Sequence, residues 1–274
     1  APGAVVALGL AALQRVRGSR RRGVVVRRQQ EGVVVGPGGA AVIQREPFPA
    51  PGVMPTTTAQ LVHHILVASV VVGTPFLAPW ALPSLPLVLF MFLYADVYSA
   101  VLHAALDREE CLDIGVLKSA AVGFQMHHDH PMESTQGQGL YRLACDTVRI
   151  QWITGGCGML MSTRSPLALS IIVLKWLTCA YGTQLGHYWA HMPAQKRPRW
   201  VALLQRAHLF LPAKHHGAHH TPPYDKNFGI VHGLANRVLN PILKGMPFKP
   251  LLALWAFMTV FDVALIERLF ATFA

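Results

Sequence analysis

Residues 167–191 read LALSIIVLKWLTCAYGTQLGHYWAH. A helix needs about 20 apolar residues to cross a bilayer, and Leu167–Gly186 supplies such a run before His187 and His191 close the stretch. These two imidazoles stand four residues apart, one turn along one helical face. HExxH zinc helices use that spacing, but Tyr188 rather than glutamate follows His187, so a peptidase would lack its general base. The competing reading is an interfacial aromatic–histidine belt around Tyr188 and Trp189. The stretch implies an all-α membrane protein with a histidine-rich metal site on one face.

The rest of the chain is consistent with that class. Of its 274 residues, 52% are hydrophobic and only 14% charged, with a mean hydropathy of +0.36, too apolar for an ordinary soluble domain. Candidate spans lie at Leu61–Ala78, Leu85–Leu106 and Ile150–Thr163 as well as Leu167–Gly186, about four in all on the length criterion. Ile150–Thr163 is short and glycine-rich. Leu251–Leu269 begins apolar but then takes in Asp262, Glu267 and Arg268, so residues 247–274 read as a C-terminal apolar helix, interfacial or in the membrane.

Charge divides the chain differently. Residues 1–50 carry eight arginines against Glu31 and Glu46, +6 of the total +11. An Arg-rich, acid-poor N-terminus reads as an organelle transit peptide, with a disordered basic arm as the alternative. Nucleic-acid binding is not implied, because no aromatic–basic interleaving accompanies the charge. The stretch 51–246 forms the candidate catalytic domain. Its segment Met192–Lys249 holds nine Lys/Arg and one acid, Asp225, which assigns that face to the cytosol, stroma or matrix. The four cysteines form no CxxC pair, so metal ligands are sought among nitrogen and oxygen donors.

All fourteen histidines fall between positions 63 and 232. His215, His216, His219 and His220 form the densest cluster, and on a helix the pairs from His216 to His219 and His220 face one way, supplying two ligands per turn. His127 and His128 are adjacent and point about 100° apart on a helix, so both ligate only by facing different metals or through local irregularity. Asp96, His103 and Asp107 lie at i, i+7 and i+11 on one stripe. An intramembrane Asp96 marks a functional site, with a site histidine or an orienting hydrogen bond as its expected partner. Taken singly, His103 also reads as a helix-end residue and His127–His128 as surface. His130 is the weakest candidate, and His63, His64, His208 and His232 read as structural. If the third run crosses or re-enters, the four groups share one side. They then supply eight nitrogen ligands, His103, His127, His128, His187, His191, His216, His219 and His220, plus Asp107 as ligand or support. One tetrahedral zinc needs only four. So many donors suit two metals, and the two-metal chemistry of His-rich membrane sites is activation of O2 by iron.

These motifs resemble the Kua-type lipid desaturase family over roughly residues 60–240. The likeness rests on Asp96, His103 and Asp107, then Phe124-Gln125-Met126-His127-His128 with Pro131, then His187-Tyr188-Trp189-Ala190-His191. It continues through His215–His220, Pro223-Tyr224, Asn227-Phe228-Gly229, Gly233 and Asn236. The Phe-Gln-x-His-His and His-x-Trp-Ala-His boxes are similar to the plant chloroplast palmitate desaturase branch. The resemblance implies a multi-pass chloroplast membrane enzyme with its site on the stromal side, two irons, O2 as co-substrate, and Gln125, Asp96 and Trp189 supporting the site. It also implies a trans-3 double bond introduced into palmitate of phosphatidylglycerol, a membrane glycerolipid, with ferredoxin or a similar electron donor. Plasmanylethanolamine desaturation is the alternative within the family. A divalent-metal transporter predicts charged residues midway along the spans, whereas these histidines sit at span ends and in loops. Gly229, His232, Asp129 and Glu133 depart from the family pattern and bear on substrate choice.

Overall fold

The computed structural model describes residues 32–35, 41–44, 47–49, scattered positions between 58 and 69, 83–136 and 160–271. The chain forms two compact units, Ala1–Pro47 and Phe48–Ala274. In the first, β1 (Gly32–Val35) pairs antiparallel with β2 (Ala41–Gln44), a hairpin absent from the all-α expectation. The second unit contains helices joined by loops and, among its described residues, no strand.

Two long helices organise it. Helix α1 spans Leu85–Leu106 and helix α3 spans Pro166–His191, both long and apolar enough to cross a membrane. Each starts on a serine whose hydroxyl accepts a first-turn amide: Ser84 from Leu87 and Ser165 from Ala168. A proline in that first turn forfeits only an amide that has no helical partner. Between Trp176 and Gly182, α3 loosens into a π-helical stretch. Such stretches shift the facing of every later residue and are frequent near functional sites.

Helix α2 is Lys118–Asp129, α4 Arg199–Arg206, α5 Ala213–His219 and α6 Asn236–Gly245. Helices α7 (Phe248–Val260) and α8 (Asp262–Ala271) form one apolar pair bent by 56°. Their contacts follow α1 in reverse. Arg108, just past the end of α1, donates to the Leu243 and Met246 carbonyls immediately before α7. Tyr98 meets Thr259 at 3.1 Å, Tyr94 donates to Asp262 at 2.6 Å, and the Phe90 ring meets Phe270. At the far end Glu267 accepts from Thr163 and Ser165, at the start of α3. The bent pair therefore runs the length of the bundle.

Asp262, at the bend, also takes Lys175 in an ion pair of 2.7 Å. Both side chains are almost completely buried, and burial of two charges is tolerated only when the pair is close and hydrogen-bonded, as here. Two spans, or three with the bent pair, are thus described against the expected four. Of the candidates at 61–78 and 150–163, the first is described only at scattered helical positions and the second lies, apart from its last residues, outside the described residues.

Candidate metal centre

Four helix ends meet at one end of the bundle. α1 brings His103 and Asp107, α2 brings His127 and His128, α3 brings His187 and His191, and α5 brings His216, His219 and the capping His220. They sort into two groups, each with its donor atoms within 4.8 Å of one another: His127, His187, His191, His216 and His220, and then His103, Asp107, His128 and His219.

In the five-histidine group, Nε2 of His191 lies 2.8 Å from that of His127, 3.2 Å from His187 and 2.7 Å from His216, while His216 and His220 are 3.0 Å apart. In the four-ligand group, Nε2 of His219 is 3.1 Å from that of His103 and 3.2 Å from that of His128. Asp107 places its oxygens 3.5, 3.2 and 3.5 Å from the Nε2 atoms of His103, His128 and His219. Among the described residues neither oxygen has hydrogen-bond geometry to a donor, although both are buried. Imidazole nitrogens this close aim lone pairs at one another unless a proton or cation lies between them. Donors about 2.1 Å from a shared ion stand about 3.0–3.4 Å apart; the nitrogens here lie at 2.7–3.2 Å, so each group could hold one ion after a shift of a few tenths of an ångström at the closest pairs. The donor set of nitrogen and carboxylate oxygen suits iron, zinc or copper.

Protonation favours the same use. Burial first, and then the neighbouring histidines, hold His127 and His216 well below the usual imidazole range. His220 is pushed down to about 2 for the same reasons. Burial also lowers His219, against the opposing pull of the Asp107 carboxylate. These rings are neutral at physiological pH, the state in which imidazole binds metal.

The supports of the two groups differ. His103 Nδ1 lies 3.0 Å from the Phe228 carbonyl and His219 Nδ1 lies 2.8 Å from the Lys226 carbonyl. Donation to a carbonyl fixes the tautomer and turns Nε2 inward. His216 and His220, by contrast, have buried Nδ1 atoms with no acceptor among the described residues.

Asp96 holds the segment carrying one of these carbonyls. Its Oδ1 accepts from the amides of Val231, His232 and Gly233, and Oδ2 from Ala235, at 2.9–3.2 Å. Gly229 and Asn236 exchange two further bonds, and Gly233 takes the left-handed φ of 77° that this turn requires. Of the two expectations for Asp96, direct pairing with a histidine of either group does not occur among the described residues, and the hydrogen bonds it makes go to the loop behind His103. Its histidine neighbour is His232, at 3.4 Å and outside both groups, and its main partners are backbone amides.

Gln125 likewise does not enter either group. Its amide donates to the Leu106 and Arg108 carbonyls, bracing the turn that carries Asp107. Trp189 packs on Trp200 of α4. His130 turns to the Phe48 carbonyl while Asp129 accepts the Phe48 amide, so this pair ties α2 to the start of the unit. His215 faces His208, and the Tyr224 ring stands 5.0 Å from His128. The Phe228 and Lys226 carbonyls were not foreseeable from sequence, because a backbone oxygen leaves no signature in residue type.

The fold and site define a helical membrane protein with paired histidine-rich groups. A family model described as the lipid desaturase domain matches residues 92–244, and the chain belongs to that family. It is 32% identical over 200 residues to a plasmanylethanolamine desaturase of Myxococcus xanthus, covering 67% of this chain and 64% of that protein. Two Arabidopsis thaliana proteins also align. Fatty acid desaturase 4-like 1, chloroplastic, is 29% identical, over 54% of this chain and 50% of its own length. Fatty acid desaturase 4, chloroplastic, is 31% identical, over 54% and 45%. The chain thus spans about half to two thirds of the length of these relatives. No solved structure matches it.

Proposed function

We propose that this chain is a membrane acyl-lipid desaturase. The observation carrying the reading is the convergence of eight imidazoles and Asp107 into two adjoining groups at the ends of apolar helices. With one iron ion held in each group, the site would supply, with O2 and two electrons from a donor, the oxidising power to remove hydrogen from an unactivated C–H bond. The chain's own residues do the rest. His127, His187, His191, His216 and His220 would hold one ion, while His103, His128, His219 and Asp107 would hold the other, with the Asp107 carboxylate offsetting part of its charge. The Phe228 and Lys226 carbonyls keep two of these rings turned inward. Gln125 keeps Asp107 in place, and Asp96 holds the loop behind His103. Burial of His103, His216 and His219 excludes water from the reacting region.

The substrate's acyl chain lies along the apolar helices, with its headgroup near the basic stretch Met192–Lys249. The product assigned is a trans-3 double bond in palmitate of phosphatidylglycerol in a plastid membrane, with residues 1–50 as transit peptide, 51–246 as the desaturase domain and 247–274 as a C-terminal apolar segment, interfacial or in the membrane. Two chloroplastic relatives and the Arg-rich N-terminus support that location. The nine Lys/Arg of Met192–Lys249 support a stromal position for the site and suit an acidic electron donor such as ferredoxin. Formation of a vinyl ether on plasmanylethanolamine is the second reading, favoured by the bacterial relative, which aligns over 200 residues against 149 and 159 for the plant proteins.

Lipid profiling of a host that co-expresses the chain and ferredoxin separates the two. We expect trans-3-hexadecenoate in phosphatidylglycerol, lost in His219→Ala. Vinyl ethers instead would establish the second reading, and neither product from iron-loaded protein would overturn the desaturase assignment.

A further inference from the structure

Helix α6 carries an apolar face that no other described residue covers. Its inner side is fixed to α1: the Ala235 amide binds Asp96, midway along that span, and the Leu243 carbonyl receives Arg108, just past its end. α6 therefore lies beside the metal-end half of α1, and its outer face meets whatever surrounds that half. Successive helical residues turn about 100°, which groups Val238, Pro241 and Ile242 on the side opposite the buried Asn236 and Leu243. Val238 is 67% exposed and Ile242 49%, and Leu234, one turn earlier, is 39% exposed. On α1, the outward leucines Leu89 and Leu93 show the same degree of exposure, 54% and 51%. Arg237 and Lys244, seven residues apart, line one edge of this stripe, and Lys244 stays 64% exposed although it pairs with Asp225.

An apolar stripe with cations along one edge is the pattern of a helix lying at the boundary of acyl chains and headgroups. We infer that α6 is immersed in the leaflet at the metal end of the bundle, with Val238 and Ile242 against acyl chains and Arg237 and Lys244 against anionic lipid headgroups. An acidic protein partner fits less well, because it would leave the apolar centre of this face without apolar contact. The inference rests on the membrane spans and not on the desaturase reading. It also means that the basic stretch Met192–Lys249 is in part a lipid-contacting element and not one aqueous loop.

The test uses the full chain in nanodiscs containing a lipid with a photoactivatable diazirine in its acyl chain, with and without phosphatidylglycerol. Adducts are mapped by mass spectrometry. We expect labelling of Val238 and Ile242 at a level comparable to Leu89 and Leu93, rising several-fold with phosphatidylglycerol, and loss of that rise in Arg237→Gln. Labelled spans with an unlabelled α6 would overturn the immersion. Equal labelling with and without the anionic lipid would overturn the headgroup contact. Protection of α6 only when an acidic electron donor is added would assign the face to that protein instead.

Discussion

His127 and His128 are neighbours in sequence that serve different groups, because consecutive helical side chains diverge by about 100°. The same rule separates His219 from His220, whereas His216 and His219, three residues apart and expected to face one way, also divide between the two groups. That is where the sequence stops being readable: the spacing says which residues face together, but not which of two groups they face. That these eight imidazoles and Asp107 are candidates was legible, since they stand at ends of helical runs, and the structure gathers all nine. Their division into five and four depends on how α2 and α5 are rotated in the bundle. Asp107 is the one anionic donor, and its two buried oxygens face three Nε2 atoms. Asp107→Asn keeps the shape and removes the charge. We expect it to weaken metal retention in the four-ligand group by at least about tenfold, read by chelator competition, while the five-histidine group is unaffected. Equal loss from both groups would show that Asp107 serves the fold and not one ion.

The loop 228–236 is threaded between α1 and α3, and Gly186 shows how closely. A Cβ there would stand 2.6 Å from the Val231 carbonyl oxygen and 2.7 Å from that of Ile230, both backbone atoms that cannot turn aside. Overpacking of this kind costs about 1–3 kcal/mol, and an immovable neighbour places Gly186→Ala at the upper end. Thermal unfolding in detergent should show that loss, together with weaker metal binding, because the same loop carries the carbonyl that orients His103. An unchanged midpoint would mean that the loop yields. The sequence points to Asp96 either as a partner of a site histidine or as the source of an orienting hydrogen bond. Asp96 acts one step removed, on backbone amides whose positions no residue pattern encodes. Lys175 passed unnoticed in its apolar run, although an isolated cation inside a span is itself a signal. Its partner Asp262 appeared only as a break in the last hydrophobic stretch.

On the scale of the whole chain, the order of contacts from Met246 near Arg108 to Glu267 near Ser165 carries the C-terminal pair from the metal end to the opposite end. Tags placed at the C-terminus and within Met192–Lys249 should therefore report opposite faces in protease-protection assays on sealed vesicles. Protection of both on one side would make the pair re-entrant. Membrane character was legible from composition, whereas the bend was not, because it is fixed by Asp262 meeting Lys175 and Tyr94 on two other helices. The central claim is that nine side chains form two metal positions at one end of this bundle. Metal content per chain, measured on purified protein with His216→Ala and His219→Ala alongside, tests it most directly. The account predicts two iron ions in the parent chain and one in each variant, with helical content retained. A single ion in the parent chain, or an unchanged count in both variants, would contradict it.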